Sequence, residues 1–172
     1  MTTDLSSAPP EPVYQLLEGS AEAAAAIEQV VSVARRELRI FDASARTLRD
    51  RGYGSPARID VLRALLIANR NHHLRIVLHD TTAIERELPR LINLLTQFSG
   101  QVQIHRTIDQ ATEARDPMVI ADEASFWRRL HIDHPRSVLT IQDAAGCRPL
   151  IERFDEIWEK SELAVAGSTL GL

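Results

Sequence analysis

The sequence predicts an α/β domain built on one mixed β-sheet with helices on both faces. Short apolar runs alternate with helical patterns up to residue 105, and three further runs after residue 117 have only short connections. Strands separated by helices pair in parallel through right-handed crossovers, whereas strands joined by short turns pair antiparallel. The sheet should therefore be parallel in its N-terminal part and end in an antiparallel C-terminal hairpin.

The element boundaries follow from apolar spacing and from Pro, Gly and Ser signals. Helical spacing, as in Ile59, Leu62 and Leu66, marks the helices, and Ser55 before Pro56 marks a helix start. Helices are predicted from near residue 20, from 56, over 82 to 98 with an irregularity at Pro89, and over 144 to 161. Strands are predicted over 38–42, 73–78, 102–105, 118–121, 126–130 and 138–141, with a polar loop over 43–54.

The chain length and composition fit one globular domain with two tails. It has 172 residues, of which 44% are hydrophobic and 26% are charged. The Ser- and Pro-rich residues 1–18 are predicted to be a disordered N-terminal tail, and residues 163–172 a flexible C-terminal tail. The domain is therefore predicted to span residues 19–162.

Charge and cysteine content narrow the possible functions. The formal net charge of −4 argues against broad binding of nucleic acid or anionic membranes. The single cysteine, Cys147, excludes an intrachain disulfide framework and a cysteine-based zinc site. No secretory signal and no apolar run of membrane-spanning length are recognised, so a cytoplasmic protein is expected, with no cofactor and no metal.

Several strings in order resemble the phospholipase D-like superfamily. They are Val61–Ala68 followed by Leu74–Asp80, then Asp116–Asp122 with Ser125–Leu130, and finally Val138–Asp143 followed by Phe154–Ser161. The resemblance covers roughly residues 20 to 162 and implies that superfamily's fold. More narrowly, the chain resembles a group of small single-domain proteobacterial members of the superfamily.

The superfamily's catalytic motif, His-x-Lys-x-x-x-x-Asp, is absent from the sequence. At the expected hairpin, Asp116 stands in place of the His and Met118 in place of the Lys, while Asp122 or Glu123 lies near the motif Asp. The only lysine is Lys160, and the residue two places before it is Trp158 rather than a histidine. The resemblance therefore implies a catalytically degenerate binding or interaction module. It also implies a homodimer, formed through the face on which single-motif relatives pair to complete one site.

A relocated catalytic site is the first alternative. His73, Arg75 and Asp80 repeat the motif spacing with Arg in place of Lys, and a strand would place His73 and Arg75 on one face. Such a site would make the protein a divergent phosphodiesterase or phosphotransferase. The simpler interpretation is a half-buried strand with polar residues on one side.

A binding site at the strand ends is a second possibility. Asp42, His79, Asp80, His105 and Arg106 each lie at the end of a predicted parallel strand. Ligands of open α/β sheets bind outside the carboxyl ends of such strands. These side chains are therefore predicted to converge on one ligand-binding cleft, and the expected partner of the domain is a phosphate-containing ligand or an unknown protein.

Two further clusters have weaker support. Trp127 with Arg128 and Arg129 combines stacking and cationic groups, as single-stranded nucleic acid requires, which leaves a nucleic-acid-associated protein as the other alternative. The residues of 131–134 include two histidines and an aspartate, but Pro135 follows them and a polar loop is the simpler interpretation.

Overall fold

The computed structural model describes residues 11–166, which form one eight-stranded sheet with helices on both faces. The strands are β1 (Val13–Glu18), β2 (Glu37–Ser44), β3 (His73–Asp80), β4 (Val102–Thr107), β5 (Met118–Ala121), β6 (Ser125–Arg129), β7 (Arg136–Ile141) and β8 (Ser161–Val165). The helices are α1 (Ser20–Val33), α2 (Ala45–Leu48), α3 (Pro56–Ala68), α4 (Ile84–Glu87), α5 (Pro89–Gln97) and α6 (Ala144–Glu159). A π-helical turn (Arg49–Tyr53) and a 3₁₀ turn (Asp109–Glu113) complete the elements.

The mixed sheet confirms the predicted fold class. Its strand order is β1-β7-β6-β5-β2-β3-β4-β8. The β2, β3 and β4 strands pair in parallel, and every other neighbouring pair is antiparallel. The parallel strands end at the edge of the sheet where β5 and β7 begin, which we call the carboxyl edge.

The sheet separates two apolar layers because alternate side chains of a strand point to opposite faces. On the first face, Leu38, Ile40 and Ile76 belong to the larger cluster, which contains the buried sides of α1, α3 and α5. On the second face, Phe41 and Val77 belong to the cluster that contains the buried side of α6. The two faces of the sheet therefore pack against different helices.

The predicted tails are wrong where the structure describes them. Residues 13–18 form β1, which pairs antiparallel with β7, and residues 161–165 form β8, which pairs with β4. Both strands are at the edges of the sheet and are mostly exposed. They therefore lack the buried alternation that identifies a strand in sequence, and backbone pairing with a neighbour holds them instead. Residues 1–10 and 167–172 of the predicted tails lie outside the described residues.

The segment after β2 is more ordered than the predicted loop. Ser44 caps α2 by accepting the backbone N–H of Thr47 at 3.2 Å, and the π-helical turn follows directly. Gly52 closes that turn with a φ of +90°, a backbone conformation that residues other than glycine rarely adopt. The predicted start of α3 is confirmed, since Ser55 accepts the N–H of Arg58 and Pro56 is the first helical residue. Pro89 divides the predicted third helix into α4 and α5.

Candidate functional site

The hairpin at which the resemblance predicts the superfamily's motif carries a partly buried ion-pair network. Asp116 lies two residues before the first residue of β5 and is 6% exposed. Its two carboxylate oxygens lie 3.2 Å from Nη2 of Arg128 and 3.1 Å from Nη2 of Arg153. Both oxygens are therefore engaged by guanidinium groups, and this network joins β6 to α6 across the second face of the sheet.

The remaining positions of the hairpin are also structural. Met118 is fully buried in the apolar layer under α6. Asp122, at the turn between β5 and β6, accepts the backbone N–H groups of residues 35, 36 and 37 at 3.0, 2.8 and 3.0 Å. Its carboxylate therefore holds the start of β2 against the hairpin, whereas Glu123 is exposed.

The structure does not bring His73 and Asp80 together. They stand at the two ends of β3, about 23 Å apart along an extended strand. His73 is exposed and lines a depression of about 170 Å³ whose walls include Glu37, Asp122 and Glu123. Three carboxylates beside His73 make this end of the strand a poor place for a phosphate.

Arg75 is occupied by structural contacts. Its Nε donates to Oε1 of Glu37 at 2.7 Å, and Nη2 lies 2.6 Å from the same oxygen. The guanidinium also lies over Phe154 and Trp158 of α6, with Cζ 5.6 and 5.3 Å from the ring centroids. Arg75 therefore fixes α6 to the sheet, and His73 projects from the same face without contacting it within hydrogen-bonding distance.

The five strand-end residues do not form one cleft, because the sheet separates them. His79 and His105 lie on the second face, whereas Asp42, Asp80 and Arg106 lie on the first. His79 uses both ring nitrogens internally, at 2.8 Å from Oγ1 of Thr107 and 2.7 Å from the carbonyl oxygen of Ala114. The ring of His79 therefore contributes to packing at the carboxyl edge.

The residues at the end of β4 contact β8 and α6. The Nδ1 of His105 lies 2.8 Å from Oγ of Ser161, and its ring stacks on Trp158 with centroids 3.8 Å apart. Burial, and then the charge of Arg75, lower the pKa of His105 below its ordinary 6.5, so the ring is neutral at neutral pH. Arg106 pairs with Glu162 of β8 at 2.5 Å on the exposed side.

The two remaining predicted residues, Asp42 and Asp80, differ in burial. Asp80 is exposed and accepts the backbone N–H of Thr82 at 2.8 Å; hydrogen bonds from Thr82 lower the pKa of this carboxyl. Asp42 is 2% exposed, and its Oδ2 lies 2.5 Å from Nε of Arg51. The Arg51 guanidinium in turn lies over the Trp127 ring, with Cζ 4.8 Å from the centroid.

Beside this ion pair, the first face of the carboxyl edge opens into a pocket of about 440 Å³. We call it the α1 pocket. Its walls are the first turns of α1, the turn after α2, and the facing ends of β6 and β7. The Gly19 N–H donates to the carbonyl oxygen of Pro135 at 3.3 Å, which joins the N-terminal end of α1 to the β6–β7 connection. The pocket therefore combines a helix N-terminus with two arginines, Arg51 and Arg129.

Other kinds of site find no support within residues 11–166. No group of three or more metal-ligating side chains is present there, and His131 pairs only with Asp133, at 3.5 Å. Burial raises the pKa of the Cys147 thiol to about 11, which makes its thiolate scarce at neutral pH. Over the same residues, no helix has the length and apolarity needed to cross a membrane.

Sequence reasoning missed the α1 pocket, although it noted some of its residues. Trp127 and Arg129 were considered only as part of a basic-aromatic cluster for nucleic acid, but Trp127 is only 1% exposed. Arg51 falls in the predicted polar loop. Its ion-pair partner, Asp42, is nine residues earlier in the chain, and no local sequence pattern joins the two. The available signal was Gly19 directly before an alanine-rich helix that has no capping side chain.

Comparison with solved structures confirms the phospholipase D-like fold. Nuc, a phospholipase D family member from Salmonella typhimurium, is 13% identical with a TM-score of 0.62, over 91% of this chain and 100% of that one. NucT from Helicobacter pylori is 14% identical with a TM-score of 0.54, over 90% and 100%. At these identities the likeness shows the fold alone.

A third similar structure belongs to a larger protein. TrmBL2, described as an archaeal chromatin protein with a novel mode of DNA binding, is 17% identical with a TM-score of 0.61. The match covers 94% of this chain and 57% of TrmBL2, so the domain spans little more than half of that protein. No curated protein matches the sequence.

A family profile matches most of the chain. The match extends over residues 19–166, which includes α1, the whole of the parallel part of the sheet, the hairpin and β8. The description of this family is a domain of unknown function. The chain therefore belongs to the DUF7931 family.

Proposed function

We propose that this domain is a non-catalytic binding module that has kept the phospholipase D-like fold. One observation carries the proposal: at the hairpin where the resemblance puts the superfamily's nucleophile, Asp116 is paired with two arginines. Phosphoryl transfer of that kind needs a nucleophilic imidazole and a cation that holds the phosphoryl oxygens. A carboxylate with both oxygens engaged, beside a buried methionine, supplies neither group.

The contacts of Arg75 also argue against a relocated site on β3. A phosphate-binding arginine must offer guanidinium nitrogens to the substrate, but Arg75 is paired with Glu37 and covered by two aromatic rings. His73 has carboxylates around it. We therefore rank the divergent phosphodiesterase below the binding module.

Nucleic-acid binding is a second candidate, favoured by the arginines at the carboxyl edge. Part of their charge is offset within the chain: Arg128 and Arg153 share the single carboxylate of Asp116, and Arg136 lies 3.4 Å from Glu18. The likeness to a DNA-binding chromatin protein shows a shared fold and nothing about binding. The net charge of −4 opposes broad contact with nucleic-acid phosphates. A small ligand fits these charges better than a polymer does.

The proposal is tested by turnover of bis(4-nitrophenyl) phosphate by the full chain, with a known phosphodiesterase as the positive control. We expect no nitrophenol release above that of the buffer, because the chain lacks a nucleophile and phosphate cation at the hairpin. The variants His73→Ala and Arg75→Gln serve as matched controls for the relocated site. Turnover by the wild-type chain that His73→Ala removes would establish catalysis on β3 and refute the non-catalytic proposal.

We also propose that the module forms a homodimer, as its resemblance to the superfamily implies. The edge strand β1 supports this idea, since Tyr14 and Leu16 are 71% and 55% exposed on the same face of the sheet. Light scattering should give twice the 19.2-kDa mass of the chain, and Leu16→Glu should reduce that mass to one chain. The control is Leu163→Glu, a similarly exposed position on the opposite edge strand. A single-chain mass for the wild type at all concentrations would refute the dimer.

For the cellular compartment, we infer the cytoplasm from the single buried cysteine, which fits a reducing environment.

A further inference from the structure

We propose that the α1 pocket binds the phosphate group of a small organic phosphate ester. This inference builds on the proposed binding function and assigns its site and ligand class. The pocket is distinct from the hairpin position, because Trp127 and Arg129 alternate with Arg128 along β6. They project from the first face of the sheet, whereas Asp116 lies with Arg128 on the second face.

The first element of the site is the N-terminus of α1, a helix of 14 residues. The helix has no capping side chain, and no acceptor within residues 11–166 takes the N–H groups of Ser20 or Ala21. Gly19 has a φ of +90°, and a Cβ placed on it would meet nothing within 4 Å. Free N–H groups together with the helix dipole favour an anion at this end of a helix.

Independent support comes from two buried polar side chains in the wall of the pocket. Ser137 and Trp127 are each 1% exposed. The Oγ of Ser137 and the Nε1 of Trp127 have no hydrogen-bond partner among the described residues. Buried donors are nearly always satisfied in native proteins, and an unpaired one costs stability. Both atoms are shielded beneath the pocket wall, so the ligand that we infer would accept their hydrogen bonds by displacing the side chains that cover them.

The third element is a pair of guanidinium groups. Within the described chain, Arg51 donates to Asp42 through Nε, and Arg129 donates through Nε to the carbonyl oxygen of His134 at 2.6 Å. Their terminal nitrogens have no acceptor there, so both arginines can present the forked geometry that suits phosphate oxygens. The acid in the wall, Asp50, is paired with Arg49 at 2.9 Å.

The remaining wall of the pocket is apolar and indicates an ester rather than free phosphate. Ala23, Ala24 and Ile27 lie along α1 beyond its N-terminus. A volume of about 440 Å³ exceeds what a single phosphate fills and falls in the range of small-molecule sites. The organic group of the ester would cover this apolar surface, with its phosphate at the helix end.

The test is calorimetric titration of the full chain with inorganic phosphate, phenyl phosphate and phenol. We expect phenyl phosphate to bind more tightly than inorganic phosphate, because only the ester also contacts the apolar wall. Phenol should not bind, and added salt should weaken the binding of both phosphates. A short single-stranded DNA, titrated in parallel, distinguishes a polymer ligand from a small one.

A matched pair of helix variants locates the binding. Ala24 and Ala25 are both exposed positions of α1, but only Ala24 lines the pocket. Ala24→Glu should reduce the affinity for phenyl phosphate at least about tenfold by placing a carboxylate beside the bound phosphate. Ala25→Glu adds the same charge to the same helix outside the pocket and should bind like the wild type.

The variant Ser137→Ala separates ligand binding from folding. It removes an unpaired buried hydroxyl, so the thermal midpoint should stay the same or rise, while the affinity should fall about fivefold. A structural role for Ser137 would instead lower the midpoint. Arg129→Gln should weaken binding at least about tenfold, because it removes one of the two cations.

The outcomes separate this inference from the proposed function. No heat from either phosphate, equal affinities of Ala24→Glu and Ala25→Glu, or binding of DNA alone would each refute the phosphate pocket and leave a non-catalytic module standing. Release of phosphate from bound phenyl phosphate would refute the non-catalytic proposal and leave the pocket standing.

Discussion

Arg51→Ala should lower the free energy of unfolding by roughly 3–5 kcal/mol. The physical reason is that the Asp42 carboxyl, buried at 2% exposure, would lose its guanidinium partner and keep only the backbone N–H of Ala43 as a donor, at 2.8 Å. Removing one partner of a buried ion pair leaves an uncompensated charge, and the packing of the guanidinium over Trp127 is lost as well. Urea denaturation followed by circular dichroism measures the change.

Two further variants test whether the buried charge causes this loss. Arg46→Ala removes an exposed arginine of α2 and should change stability by no more than about 0.5 kcal/mol. Asp42→Asn in the Arg51→Ala background removes the stranded charge and should restore part of the stability. If Arg51→Ala proves as harmless as Arg46→Ala, then Asp42 is not an uncompensated buried charge and this account of the carboxyl edge is wrong.

Asp122→Ala should lower the free energy of unfolding by roughly 2–4 kcal/mol. The Asp122 carboxylate accepts three consecutive backbone N–H groups at the start of β2, and hydrogen bonds to a charged group are stronger than neutral ones. The residue also has a φ of 54°, in the left-handed region that Asp and Asn tolerate better than Ala does. Thermal and urea unfolding of the purified variant provide the measurement.

The neighbouring positions provide matched controls. Asp122→Asn keeps the backbone preference and one acceptor oxygen, so it should cost less than half as much as Asp122→Ala. Glu123→Ala changes the adjacent, exposed carboxylate and should stay within about 0.5 kcal/mol of the wild type. Equal stabilities of Asp122→Ala and Glu123→Ala would show that the three hydrogen bonds do not hold β2 to the hairpin.

The central strands and long helices could be predicted because burial enforces their sequence patterns. Ile40 and Ile76 lie in strands covered on both faces, and such strands show continuous apolar runs. The start of α3 was predicted from Ser55 and Pro56, whose effects are local. The edge strands β1 and β8 were missed, since an exposed edge strand is held by backbone hydrogen bonds that any sequence can make.

The candidate site was harder to predict because sequence order does not tell which face of a sheet a residue occupies once strands are assembled. Asp42 and His79 both end parallel strands, yet they lie on opposite faces. The α1 pocket combines Gly19 with Arg51 and Ser137, which are far apart in the chain and meet only through the order of the strands.

The sequence by itself determined the mixed α/β architecture, the superfamily resemblance and the absence of its motif, since these depend on local patterns and residue identity. Only the tertiary structure decided that Asp116 is neutralised by Arg128 and Arg153, and that two residues with unpaired buried polar groups line a pocket at the end of α1. Burial and hydrogen-bond pairing depend on which distant segments meet, and that is a property of the folded sheet rather than of any one segment.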